Sequence, residues 1–192
     1  MKKSMLILSI LVFSCSVISS FTYPQNETSE VSNNYTPKQV EKGKYLVEIM
    51  GCRDCHSPKV MTAQGPASDM SKDLSGHPAS MPVGKINKES LKEWVLFNMM
   101  NTAAVGPWGV SFSANLTSDA TGIGTWSEEQ FIIALTEGKS KGIRSARPLL
   151  PPMPWQNYVN IKKEDAVAMF AYLKSTKPVN NVVPQPISPD KL

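Results

Sequence analysis

Two cysteines and a histidine lie within one five-residue run, Cys52-Arg53-Asp54-Cys55-His56. This C-x-x-C-H spacing is typical of the covalent attachment of a c-type haem. The two thiols lie one helical turn apart, which matches the two vinyl groups on one haem edge, and the adjacent histidine can then bind the iron. The chain contains only three Cys and two His, so a cysteine-rich composition does not explain the cluster. The run therefore predicts one haem c, held by thioethers at Cys52 and Cys55 and ligated by His56.

Three other uses of a C-x-x-C pair each lack a part in this sequence. A structural zinc site needs four ligands, and the only further Cys and His are Cys15 and His77. A thioredoxin-like redox pair should follow a strand in a βαβ pattern, and no strand pattern precedes residue 52. A disulfide between Cys52 and Cys55 would leave His56 without a role. These alternatives stay open but fit less well.

The amino terminus has the features of an export signal. Lys2 and Lys3 precede a short apolar run, residues 5–13, which is too short to span a bilayer. The run ends in Val12-Phe13-Ser14-Cys15, which resembles a bacterial lipobox, where the cysteine becomes the lipidated first residue of the mature chain. We therefore expect residues 1–15 to be a signal peptide ending at a lipidated Cys15.

An ordinary secretory signal, cut near Ser19 or Ser20, is the alternative. Both interpretations place the mature chain outside the cytoplasm, in the periplasm, where haem is attached to C-x-x-C-H. Residues 16–35 are mostly polar and without a sustained period, which predicts a flexible tether between a membrane anchor and the folded domain.

The rest of the chain has the length of one domain, residues 36–178, followed by a Pro-rich tail, residues 179–192, expected to be extended over the surface. The formal net charge of the chain is +4, and losing Lys2 and Lys3 with a cleaved leader lowers it by two, to +2. This charge is too small to indicate a nucleic-acid partner, and no basic run supports one. No internal repeat or second C-x-x-C-H is present, so one haem is expected.

Capping and periodicity predict four longer helices. Thr36-Pro37-Lys38-Gln39 is a capping box that opens a helix to about Met50, and Ser127-Glu128-Glu129-Gln130 opens another that stops at Gly138. A helix from about residue 162 to 175 has a clean apolar face. Another is predicted over residues 87–102, and residues 57–86 are expected to form a long loop around a cofactor. The inward positions expected on these helices are Phe131, Leu135, Ala166, Met169, Phe170 and Leu173, with Leu91, Trp94, Val95 and Asn98 on the helix at 87–102.

Four stretches, in the right order, resemble the class I bacterial cytochromes c, particularly the cytochrome subunits and domains of periplasmic dehydrogenases and respiratory chains. They are residues 40–46 before the motif, residues 115–126, the loop Leu150-Pro151-Pro152-Met153-Pro154-Trp155, and residues 165–173. The resemblance covers about residues 37–178 and implies an all-α fold, with three to five helices and long loops wrapped around one covalent haem. The chain departs from a small cytochrome c in that 97 positions separate His56 from Met153, an excess ascribed to the predicted helix at 87–102 and its flanks.

Met153 is the expected second axial ligand of the iron, opposite His56. Prolines on both sides stiffen its loop, which lowers the entropy cost of holding a thioether on the metal. Met81, before Pro82, is the main rival among ten methionines. His77, before Pro78, is the other, and two histidine ligands would give a lower reduction potential than a His/Met pair.

The resemblance also implies residues around the haem. A metal-bound histidine normally donates its second ring nitrogen to an acceptor, and in relatives a proline-containing loop supplies it, which points to a carbonyl near Pro66. Candidates for covering or pairing with the propionates are Trp126, Arg147, Trp155 and Tyr158. Core packing for the aromatic residues, and a solvated charge for Arg147, are the alternatives.

The predicted function is one-electron transfer by cycling Fe(III)/Fe(II), because a His/Met pair leaves no iron site for peroxide or oxygen. The protein would be a free carrier, or a non-catalytic subunit docked on an enzyme, rather than an enzyme itself. Expected partners are a dehydrogenase, a quinol-oxidising complex or a terminal oxidase. The alternative is a haem peroxidase or gas sensor with a labile sixth ligand.

Overall fold

The computed structural model describes residues 35–192. In this range the chain forms four α-helices: α1 (Pro37–Ile49), α2 (Cys52–His56), α3 (Glu128–Thr136) and α4 (Lys163–Ser175). The signal peptide at 1–15, Cys15 and nearly all of the tether predicted at 16–35 lie outside the described residues. Within residues 35–192, no helix is both long and apolar enough to cross a membrane.

Both predicted capping boxes are confirmed. The Thr36 side chain accepts a hydrogen bond from the Gln39 backbone N–H while the Gln39 side chain accepts from the Thr36 N–H, and Pro37 is the first residue of α1. Ser127 and Gln130 form the same reciprocal pair at the start of α3. These contacts satisfy donors that a helix start leaves without partners. Gly138, with φ of 62°, follows the end of α3 as predicted.

Five short strands form two antiparallel sheets. In the first, β1 (Lys59–Thr62) pairs with β2 (Gly65–Ser68). In the second, β3 (Leu96–Phe97), β4 (Ala103–Gly106) and β5 (Gly109–Phe112) pair in chain order. The expectation of an all-α fold is therefore wrong: the described part of the chain belongs to a mixed class of helix and sheet.

The error lies mostly in residues 87–102, which do not form the predicted helix. A 3-10 turn at Ser90–Lys92 leads into β3 instead. The segment around β3 is rich in aromatic and β-branched residues, which favour strands. Asn98 also competes with helix formation, because its side-chain oxygen accepts from the backbone N–H of Thr102 and of Ala103. Trp94, expected to face inward, is 64% exposed.

The crossing of α1 and α4 organises the core. A Cβ atom on Gly43 would collide with the Ala168 carbonyl and with Cβ of Tyr172, so the two helices touch almost backbone to backbone. Lys42 and Asp165 form an ion pair across the same contact. The predicted inward faces of α3 and α4 are confirmed, since every one of their named residues is buried. The core comprises Val47, Leu74, Ile123, Phe131, Leu135, Ala166, Met169, Phe170 and Leu173.

Gly43→Ala is expected to destabilise the fold. Overpacking usually costs about 1–3 kcal/mol, and the higher helix propensity of Ala offsets ~1 kcal/mol of that cost. The urea midpoint of unfolding measures the change. Gly84→Ala is the control, because a Cβ atom there meets nothing within 4 Å. Equal midpoints for the two variants would show that the helices do not cross this closely.

The tail at residues 179–192 is part of the fold. Ile187 exchanges two backbone hydrogen bonds with Val110, with N···O distances of 2.8 and 3.0 Å, so it adds to the outer edge of β5. A 3-10 turn at Pro189–Lys191 follows. Specific backbone hydrogen bonds therefore tie the tail to β5.

Candidate functional site

The five residues of the C-x-x-C-H run form α2. Met50 ends α1, and Gly51 adopts φ of 67°, a left-handed conformation that suits glycine and turns the chain into the short helix. Cys52 and Cys55 are three positions apart and so share one helix face. Both are half-buried, and no disulfide joins them.

Burial raises the pKa of both thiols: that of Cys52 to about 11, and that of Cys55 above its ordinary value. Both are protonated at neutral pH. A thioredoxin-like pair relies on a thiol whose pKa is lowered. The environment of these two cysteines is the opposite, so the redox-pair alternative loses support.

The His56 imidazole makes a hydrogen bond at one ring nitrogen and, among residues 35–192, none at the other. Its Nδ1 lies 2.8 Å from the carbonyl oxygen of Ala114. Because a carbonyl only accepts, Nδ1 carries the proton and the lone pair is on Nε2. Burial lowers the pKa of His56, so the ring is neutral. A neutral imidazole anchored in this way is the form that binds metals. The acceptor for His56 is the Ala114 carbonyl, so the expectation of a carbonyl near Pro66 is wrong.

Arg53, between the two cysteines, fastens α2 to two other parts of the chain. Its Nε donates to both carboxylate oxygens of Asp73 at 3.0 Å, and its Nη2 donates to the Tyr172 hydroxyl on α4 at 2.6 Å. Ser57, fully buried, donates to Asp73 at 2.8 Å. The motif helix is therefore held by a charge-assisted network.

Lys59 and Asn101 satisfy the carboxyl end of α2. The Lys59 ammonium donates to the carbonyl oxygens of Arg53, Asp54 and Ser57, at 3.1, 3.0 and 2.6 Å. A cation there also suits the helix dipole. Asn101 Nδ2 donates to the Asp54 carbonyl at 3.0 Å and lies 3.6 Å from Cys55 Sγ.

Met153, the proposed second iron ligand, is half-buried and packs against the core cluster, as does Cys52. A 3-10 turn at Trp155–Tyr158 follows its loop. Burial raises the pKa of Tyr158, which packs against the same core cluster. Met153 and Cys52 thus contact the same core cluster, while ligation of the iron by Met153 stays a prediction.

The two rival ligands have partners within the protein. His77 is 1% exposed, its Nδ1 lies 2.9 Å from the Thr102 hydroxyl, and its Nε2 lies 3.4 Å from the Met81 carbonyl. Both ring nitrogens are thus occupied. The Met81 sulfur lies 3.7 Å from Nδ2 of Asn98. These contacts give His77 and Met81 a structural role.

The residues expected around the propionates differ in position. Trp126 packs against the core, whereas Arg147 is exposed and donates to the neighbouring Pro148 carbonyl. The Trp155 indole lies against the backbone of Gly138.

Two further features of the described residues lie apart from α2. A groove of about 520 Å³ runs between α3 and the start of α4, and neither α2 nor the Met153 loop lines it. Across residues 35–192, no three His, Cys, Asp or Glu side chains are grouped to hold a metal ion.

Sequence comparison finds two dehydrogenase subunits similar to this chain, and no family model matches it. A nicotinate dehydrogenase subunit of Pseudomonas putida is 42% identical over 79 residues, which are 41% of this chain and 6% of that protein. The gluconate 2-dehydrogenase cytochrome c subunit of Pantoea cypripedii is 28% identical over 134 residues, 69% of this chain and 22% of that protein. The chain thus spans less than a quarter of the length of either relative, and it is similar, at low identity, to a cytochrome c subunit of a dehydrogenase.

Proposed function

We propose that this chain is an extracytoplasmic one-electron carrier with one haem c, attached through Cys52 and Cys55 and ligated by His56 and Met153. The observation that carries the proposal is the state of His56. Its Nδ1–H is given to the Ala114 carbonyl, which leaves the Nε2 lone pair available next to two unpaired thiols on one helix face. These residues fit the group. When bound, the haem supplies a centre that gains or loses a single electron.

The chain's own residues would hold that centre rigidly. The Arg53 network ties α2 to α4 and to Asp73, and the Ala114 carbonyl fixes the tautomer and orientation of the imidazole. Rigid, half-buried ligands favour electron transfer, because little rearrangement accompanies a change of charge. No described residue is assigned a role in making or breaking bonds of a substrate.

The proposed donor is a dehydrogenase or a quinol-linked enzyme, and the acceptor a component of a respiratory chain. The names of the two similar proteins support a dehydrogenase partner. Such a partner fits a free carrier and a docked, non-catalytic subunit equally, since the electron-transfer chemistry is the same.

Optical spectra of the purified holoprotein test the proposal against a haem enzyme or gas sensor. With a His/Met iron, the reduced protein should show the same spectrum before and after carbon monoxide is added at neutral pH. A large spectral change with carbon monoxide in the wild-type protein would indicate an open or labile sixth position, and would favour the enzyme or sensor.

Membrane attachment through Cys15 is a further part of the proposal. Cys15→Ala should block lipoprotein processing and remove the protein from the membrane fraction. The reason is that stable anchoring needs more than one acyl chain, which a diacylated and N-acylated cysteine supplies. Fractionation and mass spectrometry of the mature amino terminus measure this. Wild-type protein found in the soluble extracytoplasmic fraction, with a start near residue 20, would support the ordinary secretory signal instead.

A further inference from the structure

We propose that residues 176–192, here called the C-terminal strap, position the axial histidine by fixing the Ala114 carbonyl, with Asn115 and Asn181 as the positioning residues. This inference rests on the proposed function, because it takes His56 to be an iron ligand. It adds a control of the electronic properties of that ligand by a segment more than 100 residues away from it in the sequence.

The Ala114 carbonyl lies in a backbone segment with hydrogen bonds on both sides. The Ser113 N–H donates to the Thr102 carbonyl, and the Ser113 carbonyl accepts from the His77 N–H, both at 2.9 Å. Leu116 N–H donates to the Leu74 carbonyl at 2.8 Å. The position of the acceptor for His56 is therefore set by its neighbours.

Asn115, 4% exposed, joins this segment to the strap. Its Nδ2 donates to the Val179 carbonyl at 2.8 Å, and its Oδ1 accepts from the N–H and the hydroxyl of Thr117, at 2.9 and 2.8 Å. The hydroxyl of Ser118 donates to the Thr176 carbonyl at 2.6 Å. The strap thus holds the chain immediately after Ala114.

Asn181 joins the strap to a second segment beside His56. Its Nδ2 donates to the carbonyls of Ser75 and His77, at 2.7 and 2.9 Å, and its Oδ1 accepts from the Ala79 N–H at 2.9 Å. Between these residues, the Gly76 N–H donates to the backbone carbonyl of His56 at 2.8 Å. One amide therefore braces the segment that holds the His56 backbone, while Asn115 braces the one that holds its ring.

The strap should influence the reduction potential through the hydrogen bond of His56. A carbonyl that accepts from Nδ1–H raises the basicity of the ligating nitrogen, and a more basic ligand favours the oxidised iron. Loosening the Ala114 carbonyl should therefore raise the potential. Asn115 and Asn181 are both neutral, so replacing them with alanine leaves the charge around the site unchanged.

Asn115→Ala and Asn181→Ala in the full-length holoprotein test the inference, with Asn160→Ala as the control. Asn160 is exposed and makes no side-chain hydrogen bond among those of residues 35–192. The reduction potential and the exchange rate of the His56 Nδ1 proton, followed by nuclear magnetic resonance, are the readouts. Both strap variants should raise the reduction potential. They should also accelerate exchange of the His56 Nδ1 proton about fivefold or more, the factor expected when an ordinary hydrogen bond is lost. Asn160→Ala should change neither.

The Asn181 side chain bonds to the His77 carbonyl, and the His77 N–H donates to the Ser113 carbonyl next to Ala114. Asn181→Ala should therefore loosen the Ala114 carbonyl while leaving the side-chain hydrogen bonds of Asn115 in place, so it tests the idea if Asn115→Ala folds poorly. Covalent haem with an unchanged potential and exchange rate in the strap variants would overturn the strap inference alone. Equal acceleration of backbone amide exchange in α4 would also overturn the inference, because it would indicate a general loosening of the fold. Wild-type protein without covalent haem would overturn the proposed function as well.

Discussion

Expressed together with export and haem-attachment machinery, the wild-type chain is expected to keep its haem through denaturing electrophoresis. Cys52→Ala and Cys55→Ala should each weaken the haem stain strongly, and the double variant should abolish it. The reason is that thioether bonds survive denaturation whereas coordination to the iron does not. The half-buried, unpaired thiols of α2 are the only described cysteines, so no other described residue can replace them.

Met153→Ala is the control for this experiment, because a coordinating residue contributes nothing to the covalent link. Its haem stain should equal that of the wild-type chain. The haem-attachment proposal is falsified if haem from the native protein extracts freely into acidified organic solvent.

Met153→Ala should have its own large effect, on the iron. The oxidised protein should lose the weak long-wavelength band that arises from charge transfer between sulfur and iron. The potential should fall, since a thioether favours reduced iron more than the ligands that could replace it. Carbon monoxide should bind the reduced variant although it leaves the wild type unchanged. Optical spectroscopy and a redox titration measure all three results.

Met81→Ala and His77→Ala separate the ligand assignment from the cytochrome assignment. Both variants should keep the long-wavelength band. His77→Ala should also lower the stability of the protein, because it removes a fully buried side chain that bonds Thr102. A band that survives Met153→Ala and disappears in Met81→Ala would show that Met81 is the ligand, with the electron-carrier function unaffected.

The helices that flank the domain were predictable because their signals are local. The Thr36–Gln39 and Ser127–Gln130 capping boxes bond within three residues, and the apolar period of α4 is visible in the sequence. The residues proposed to attach haem were identified in the sequence for the same reason, since their spacing falls within a single turn.

The sheets were not predicted because the sequence signals for helix and for strand are both weak in these segments. Residues 94–98 can be placed on a helical stripe, but they also suit a strand, and pairing with β4 decides between these options. Pairing depends on residues outside the segment, which makes strand propensity strongly dependent on context. Asn98 was the one local warning, since asparagine often bonds to nearby backbone instead of continuing a helix.

The partners of the site were unpredictable because they are distant in sequence. His56 bonds to Ala114, and Arg53 bonds to Asp73 and Tyr172. A backbone carbonyl can belong to any residue type, so no pattern marks Ala114. Lys59, three residues after His56, was the most accessible signal, because a lysine just past a helix commonly interacts with its last carbonyls.

The placement of α2 near the beginning of the described chain has a consequence for the order of maturation. Its supports, Asp73, Ala114, Tyr172 and Asn181, are all synthesised after it, and some of them much later. Contacts so far apart in sequence form slowly, because the intervening loop must first close. Cys52 packs against a core cluster that includes α4 residues, so we expect its thiol to become half-buried only once α4 has docked. We expect the two thiols to be accessible to the haem-attachment enzymes before the chain has folded and less accessible afterwards.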